Sequence, residues 1–539
     1  MKRACNNNSM NIFNSFGYLA MDYMIIAKNI SNQINANLFF KFKCGNLYRF
    51  LYLIIVGFLV FFNSCAERFE TPTASRDYAK PASSEEVVEF SKFVSENCNF
   101  LSDTIIGQTT LGKDLIAVRA ALPEAETDTL LKVLLFAQQH GNEQSSKEAL
   151  LLLISNLHKY EKWLKNMEVW IVPQVNPEGS DLNQRRNSLG IDLNRDHVLK
   201  VAPETRALHS LFNEIMPHVT VDIHEYNPYR ESWENFGGYK NFDVQVGIPT
   251  NINVDEKIRS FALNRVLPAL EEHLNVAGYS FHNYLVGPVP TNGLTRHSTV
   301  DINDGRQSFA ILNTLSFIYE GINGKDAYVE NLERRTHGQY EAIKALLNIL
   351  DDHSCEVKQM VEESRGELYF GNSKSNVAIR MEHIKSDVSL LLPLTSSKTG
   401  KDTVVEIIDF HPLVISKLEV EKPEAYLVPA NDTLLRSFLD LHKILYFPAH
   451  DIRHMDVTLY KILNIETSID ENLENRFPEV EIKKIKGLKE KYIYVPTAQL
   501  HSNFLVLLLE PQSMLGLAQR KGFEYLLKEN EVYPIYRVN

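Results

Sequence analysis

The sequence predicts an α/β domain built on a mixed, mostly parallel sheet flanked by helices, followed by a smaller α+β or β-rich domain. Three observations carry this reading. Between residues 115 and 350, short apolar runs alternate with longer runs of helical spacing, the pattern of strands joined by helices. Three of the apolar runs lead into a His or a Glu, as at His140, His224 and Glu320. After Asp352 the helical spacing gives way to runs rich in Val, Ile, Leu and Thr, broken by turns.

At 539 residues the chain exceeds what one core serves, so two or more domains are expected. Hydrophobic content of 44% and charged content of 23% are those of a soluble globular protein. The net charge is -12; six of the 56 Lys/Arg and one of the 68 Asp/Glu fall in residues 1–64, so the remainder stands near -17. That balance excludes nucleic acid as a partner, because phosphate binding needs a basic footprint.

Residues 1–47 form an Asn-rich lead without helical periodicity, with Met21 and Met24 as alternative starts. Residues 48–65 read as a signal segment. Lys41, Lys43 and Arg49 precede an apolar run from Phe50 to Phe62, and Asn63-Ser64-Cys65 follow. The run is shorter than the roughly 20 residues of a membrane-spanning helix, and the order basic, apolar, small is that of a secretion signal. A Cys after a small residue resembles the lipobox of bacterial lipoproteins, from which Phe62 and Asn63 depart. The expectation is export to a bacterial cell envelope, with membrane attachment through lipid on Cys65 or through an uncut anchor. Residues 66–84 follow as a flexible stem. Cys98 and Cys355 read as two unrelated thiols, although an exported protein permits disulfides.

Residues 85–352 form the main domain. A helix is expected over 85–98; strands over 115–120, 133–137, 168–172, 219–223 and 316–319; and helices over 146–158, 203–215, 255–274 and 325–350. Ser145 and Glu148 have capping-box spacing. Residues 365–539 form the second domain. There 366–420 reads as mostly β, 434–445 as an amphipathic helix, and 492–509 as strand-like runs broken near Gln499. Two similar strand ends lie at 426–430 and 494–498.

The chemistry concentrates in the main domain. His140 and Glu143 stand three apart on a strand-to-helix turn, where imidazole and carboxylate can face one cation, and His224 closes another apolar strand. Two His and a Glu are zinc ligand types, and ligands gather beyond the carboxyl ends of strands in open α/β sheets. Between them lie Asn176-Pro177-Glu178-Gly179 and a polar loop from Arg185 to Asp196. Arginines beside a cation suit carboxylate recognition and oxyanion stabilisation. Glu320, ending an apolar strand, fits a general base on a metal-activated water.

In order, His140-x-x-Glu143, Asn176-Pro-x-Gly179, Arg185-x-Asn187, Asp192-Leu-Asn194-Arg195, Asp222-Ile-His224-x-Tyr226 and Phe317-Ile-Tyr-Glu320 resemble the zinc carboxypeptidases, the M14 metallopeptidases. Ile106 to Lys113 is similar to that family's opening segment, and Pro203 to Leu208 to its bacterial members. The tail, at Leu508 to Ser513 and Tyr533 to Val538, is similar to an extra C-terminal domain of some of them. The resemblance covers roughly 85–352. It implies an eight-stranded-type sheet and one Zn2+ per chain on His140, Glu143 and His224. It further implies Glu320 as general base, then acid, with Arg185, or Arg186 in another register, on the oxyanion. Asn194 and Arg195 would hold the free C-terminal carboxylate of a peptide substrate, and Tyr226 would line a subsite.

Two features depart from the digestive members. No Tyr stands some twenty residues before Glu320, where His297 is the available substitute, and the segment from Asn194 to His224 is shorter. Asp301, Asp304 and Arg306 are candidates for shaping specificity. The implied activity is hydrolysis of C-terminal amides of peptides, cell-wall stem peptides included. The alternatives are deacylation of N-acyl amino acids, as in the aspartoacylase and desuccinylase enzymes, and a non-catalytic envelope binding lipoprotein.

Overall fold

Val133, Leu134, Leu135 and Phe136 are fully buried, because the strand that carries them is covered on both faces, as parallel strands are. The computed structural model describes residues 69–291, 293–370, 376–450, 453–470, 473–488 and 491–538. The lead, the signal segment and Cys65 lie outside the described residues. No helix among the described residues is long and apolar enough to cross a membrane.

The first strands are β1 (Leu101–Gln108), β2 (Asp114–Ala120), β3 (Leu131–Ala137), β4 (Met167–Val172), β5 (Val219–Tyr226), β6 (Gly238–Tyr239), β7 (Val244–Gly247), β8 (Phe281–Asn283) and β9 (Leu315–Ile322). An eight-stranded sheet runs in the order β1-β2-β4-β3-β5-β9-β7-β8. Its centre, β4-β3-β5-β9, is parallel, while β1 and β2 are antiparallel at one side and β7 runs antiparallel to β9 at the other. The mixed, mostly parallel sheet is the expected one. β1, β7 and β8 escape the periodicity: β1 is an edge strand with mostly solvated side chains, and β7 and β8 are very short.

Helices Ser84–Asn97, Gln144–Asn156, Pro203–Ile215 and Leu332–Asp352 stand close to their expected places. The last begins later than its spacing suggests, because the Asp326 carboxylate accepts the backbone N–H groups of Tyr328, Val329 and Glu330 and holds a turn there. The capping box at Ser145 is not formed. Ser145 Oγ instead donates to Glu225 (2.7 Å), and Glu148 accepts the Ala82 N–H (2.8 Å). Cys98 is buried and Cys355 exposed.

The later strands are β10 (Asn376–Ile384), β11 (Leu390–Ser396), β12 (Asp402–Ile407), β13 (Leu413–Glu421), β14 (Ala425–Pro429), β15 (Phe447–Pro448), β16 (Asp456–Asp470), β17 (Leu473–Lys486), β18 (Tyr492–Pro496) and β19 (Tyr536–Val538). They build a β10-β13 pair, a β12-β11-β6 sheet and a six-stranded sheet, β15-β18-β14-β19-β16-β17. The two similar strand ends are antiparallel neighbours, β14 and β18. The run after Gln499 is not a strand but a helix, Ser502–Leu509, buried almost all round. A uniformly apolar stretch of that length carries neither period. The tail motifs are structural: buried Glu510 accepts from Tyr426 (2.7 Å) and Tyr460 (2.8 Å) and pairs with Arg537 (3.3 Å). Because β11 extends β6, and Leu392 and Leu394 pack with Trp233 and Phe242, the β-rich part shares a core with the segments flanking β6.

Candidate active site

At the end of β3, Gln138 adopts a left-handed backbone (φ +59°) and turns the chain toward the helix Gln144–Asn156. Gly141 is required in this turn, since a Cβ there would lie 2.0 Å from the Gly179 carbonyl carbon. Asn176 locks the facing loop. Its Oδ1 accepts the Gly179 N–H (3.0 Å), and its Nδ2 donates to the carbonyls of Gln139 (3.1 Å) and Arg185 (3.3 Å). The Asn-Pro-x-Gly element therefore presses Arg185 against the His140 turn.

His140, Glu143 and His224 converge, all three buried, with ligand atoms within 4.8 Å of one another. Glu143 Oε1 lies 2.8 Å from His140 Nδ1, Glu143 Oε2 lies 2.8 Å from His224 Nδ1, and the two ring nitrogens are 3.1 Å apart. The outward nitrogens face carboxylates, with His140 Nε2 3.1 Å from Asp192 and His224 Nε2 2.8 Å from Asp222. A ring N–H donated outward leaves an inward lone pair, and two such lone pairs beside a carboxylate repel unless a cation lies among them. Carboxylate-held imidazoles are the usual setting of metal-bound His, so the donor set fits zinc. Burial would raise the pKa of Glu143, but His140 and His224 outweigh it and hold the carboxyl below the usual range. Asp192 is likewise held low against burial, by His140 and Arg185.

Further support lies behind Asp222. Gln139 Nε2 donates to both its oxygens at 2.9 Å, and Gln139 Oε1 lies 2.8 Å from His197 Nε2. Gly305 packs so closely that a Cβ would stand 2.4 Å from Asp222 Oδ2. The Asp-x-His spacing signals this pairing, since residues two apart on a strand share a face.

Glu320 is the register partner of His224 on the adjacent strand and is 8% exposed. Burial lifts its pKa to about 7; His224 and the Tyr284 hydroxyl oppose the rise and Glu143 adds to it. Arg185 Nη1 stands 3.2 Å from His140 Nδ1 and its Nη2 3.0 Å from Asp192, so it overhangs the ligands. Arg186 instead donates to the Gly190 carbonyl (3.0 Å). Asn194 is buried: its Oδ1 accepts from Gly305 (2.7 Å), and its Nδ2 lies 3.3 Å from His224 Nε2. Arg195 is exposed, and of the pair it is the one solvent reaches. The Tyr226 hydroxyl donates to the Phe242 carbonyl (2.7 Å), and Lys240 Nζ lies over its ring (5.7 Å). His297 packs edge-on against Phe410 (5.1 Å). The aromatic group that faces Glu320 is Tyr284, just after β8 and farther from Glu320 in sequence than the Tyr of the digestive members.

Residues 87–230 match the family described as zinc carboxypeptidase. The family that this stretch matches is M14. Zinc is the metal the family uses, and the enzyme class is zinc metallocarboxypeptidase. Carboxypeptidase 2 of Trichophyton tonsurans is 26% identical over 428 residues, covering 76% of each chain. Carboxypeptidase 2 of Trichophyton equinum is 25% identical over 428 residues, again with 76% of each covered. Among solved structures, the chain is similar to a metallo-carboxypeptidase from Burkholderia cenocepacia. The identity is 21%, the TM-score 0.40, and the match covers 50% of this chain and 70% of that one. A metallo-carboxypeptidase from Pseudomonas aeruginosa, solved with (2-guanidinoethylmercapto)succinic acid, is 18% identical, with TM-score 0.41 and coverage of 51% and 70%.

Proposed function

We propose that this M14 zinc carboxypeptidase removes the C-terminal residue of peptides, with His140, Glu143 and His224 as zinc ligands and Glu320 as general base. The observation that carries the reading is the convergence of those three ligands beside a buried carboxylate with a raised pKa. Zinc held there supplies Lewis acidity and makes a water more acidic. Glu320 takes the proton of the attacking water and returns it to the departing amine. Arg185, overhanging the ligands, stabilises the charge that develops on the carbonyl oxygen. Arg195 holds the terminal carboxylate of the substrate, while Asn194 fixes the loop against His224. The Tyr284 hydroxyl orients the Glu320 carboxylate.

The test is digestion of a peptide set with free or amidated C termini, alongside N-acyl amino acids and cell-wall stem peptides, with and without a zinc chelator. Chelator-sensitive release of single residues from free C termini supports the reading. Hydrolysis of N-acyl amino acids alone, or of nothing, contradicts it. The order of basic, apolar and small residues before Cys65 supports export and lipid attachment, which loss of lipid labelling in Cys65→Ala would test.

A further inference from the structure

Two residues back from Glu320, on the same face of β9, lies Ile318, and its register partner on β7 is Gly247. A Cβ at Gly247 would stand 2.7 Å from Arg306 Nη1, 2.7 Å from Ile318 Cγ2 and 2.9 Å from Tyr284 Cδ1. The absent side chain is the space in which a guanidinium and a phenol sit beneath the general base.

Arg306 is 1% exposed. Its Nη2 donates to Ser298 Oγ (2.6 Å) and to Asp304 Oδ2 (3.2 Å). Its Nε and Nη1 have no hydrogen-bond partner among the described residues. Asp304 is already engaged on its other oxygen, which accepts the Gln307 N–H (2.6 Å). Guanidinium nitrogens only donate, and buried charged donors left without acceptors are costly. Gly247, Ser298 and Tyr284, neighbours of Arg306, help to line a cavity of about 340 Å3 with otherwise largely apolar walls.

Resting on the carboxypeptidase reading, we infer that Arg306 selects substrates whose C-terminal residue is Glu or Asp. The exposed Arg195 takes the terminal carboxylate at the mouth, and the buried Arg306 receives the side-chain carboxylate deeper in. A Lys or Arg side chain would meet the positive charge of the guanidinium there. An apolar one would leave the donors unpaired.

The test uses the zinc-loaded full chain and four N-blocked dipeptides that differ only in a C-terminal Glu, Gln, Leu or Lys. The expected kcat/KM for Glu exceeds that for Gln by at least about tenfold, and in Arg306→Gln the ratio falls to near one. Both rates come from one preparation, so partial unfolding lowers them together and leaves the ratio readable. Should that variant not fold, inhibition of the wild type by free glutamate and glutamine carries the test, with glutamate expected to bind about tenfold more tightly. Equal rates for Glu and Gln, or a preference for Leu or Lys, overturn the role of Arg306 and leave the carboxypeptidase reading standing. Cleavage of none of the four overturns both.

Discussion

His224 and Glu320 are register partners on the adjacent parallel strands β5 and β9. One step of the ladder, about 4.8 Å, therefore sets the separation of the proposed metal ligand from the proposed general base. No loop conformation intervenes. Asp222, two residues before His224, shares its face, so His224, its orienting carboxylate and Glu320 are all aligned by the same pairing.

Asp222 fixes the ring of His224 from behind. Asp222→Asn should weaken zinc binding by roughly 10- to 100-fold, read by competition with a chelator of known affinity. Unchanged affinity would mean that the ring is held without the Asp222 charge.

Tyr284 faces the Glu320 carboxylate through its hydroxyl. Removal of that group in Tyr284→Phe should lower kcat about tenfold or more, with a smaller change in KM. Steady-state kinetics on one peptide decides it, and a change confined to KM would assign Tyr284 to substrate binding instead.

The Glu320 carboxyl is lifted from 4.5 to about 7 by burial. The folded, zinc-free protein thus retains a proton that the unfolded chain releases. This stabilising contribution is complete below pH 4.5 and is lost as pH rises through 7. Thermal melts of chelated protein at pH 5 and pH 8 should show Glu320→Gln gaining stability relative to wild type as pH rises. A difference independent of pH would contradict the raised pKa.

Glu510 and Arg537 pair in the core of the β-rich part, with Tyr426 and Tyr460 completing the carboxylate's bonds. Glu510→Ala leaves a buried guanidinium without its partner and should cost about 3–5 kcal/mol, measured by urea unfolding. A loss below about 1 kcal/mol would show that water replaces the carboxylate.

The convergence of His140, Glu143, His224 and Glu320 is legible in the sequence because the residues follow apolar runs whose burial dictates central strands, and strand ends on one side of a parallel sheet meet. Arg185 was legible as one of two neighbours. Its register was settled by Asn176, whose side chain grips the Arg185 carbonyl. Tyr284 was not legible: it reaches Glu320 from a three-residue edge strand, too short to show a period. The helix Ser502–Leu509 is not legible for the opposite reason, since burial on nearly every side erases its pattern. The open donors of Arg306 depend on Gly247, distant in sequence and adjacent only through the pairing of β7 with β9.

The most direct measurement is zinc content and release of a C-terminal residue, taken on the same preparations of wild type and Glu320→Gln. The account predicts one zinc in both, with hydrolysis by the variant slowed by roughly 10²- to 10⁴-fold. A zinc-loaded Glu320→Gln enzyme with full activity would contradict it.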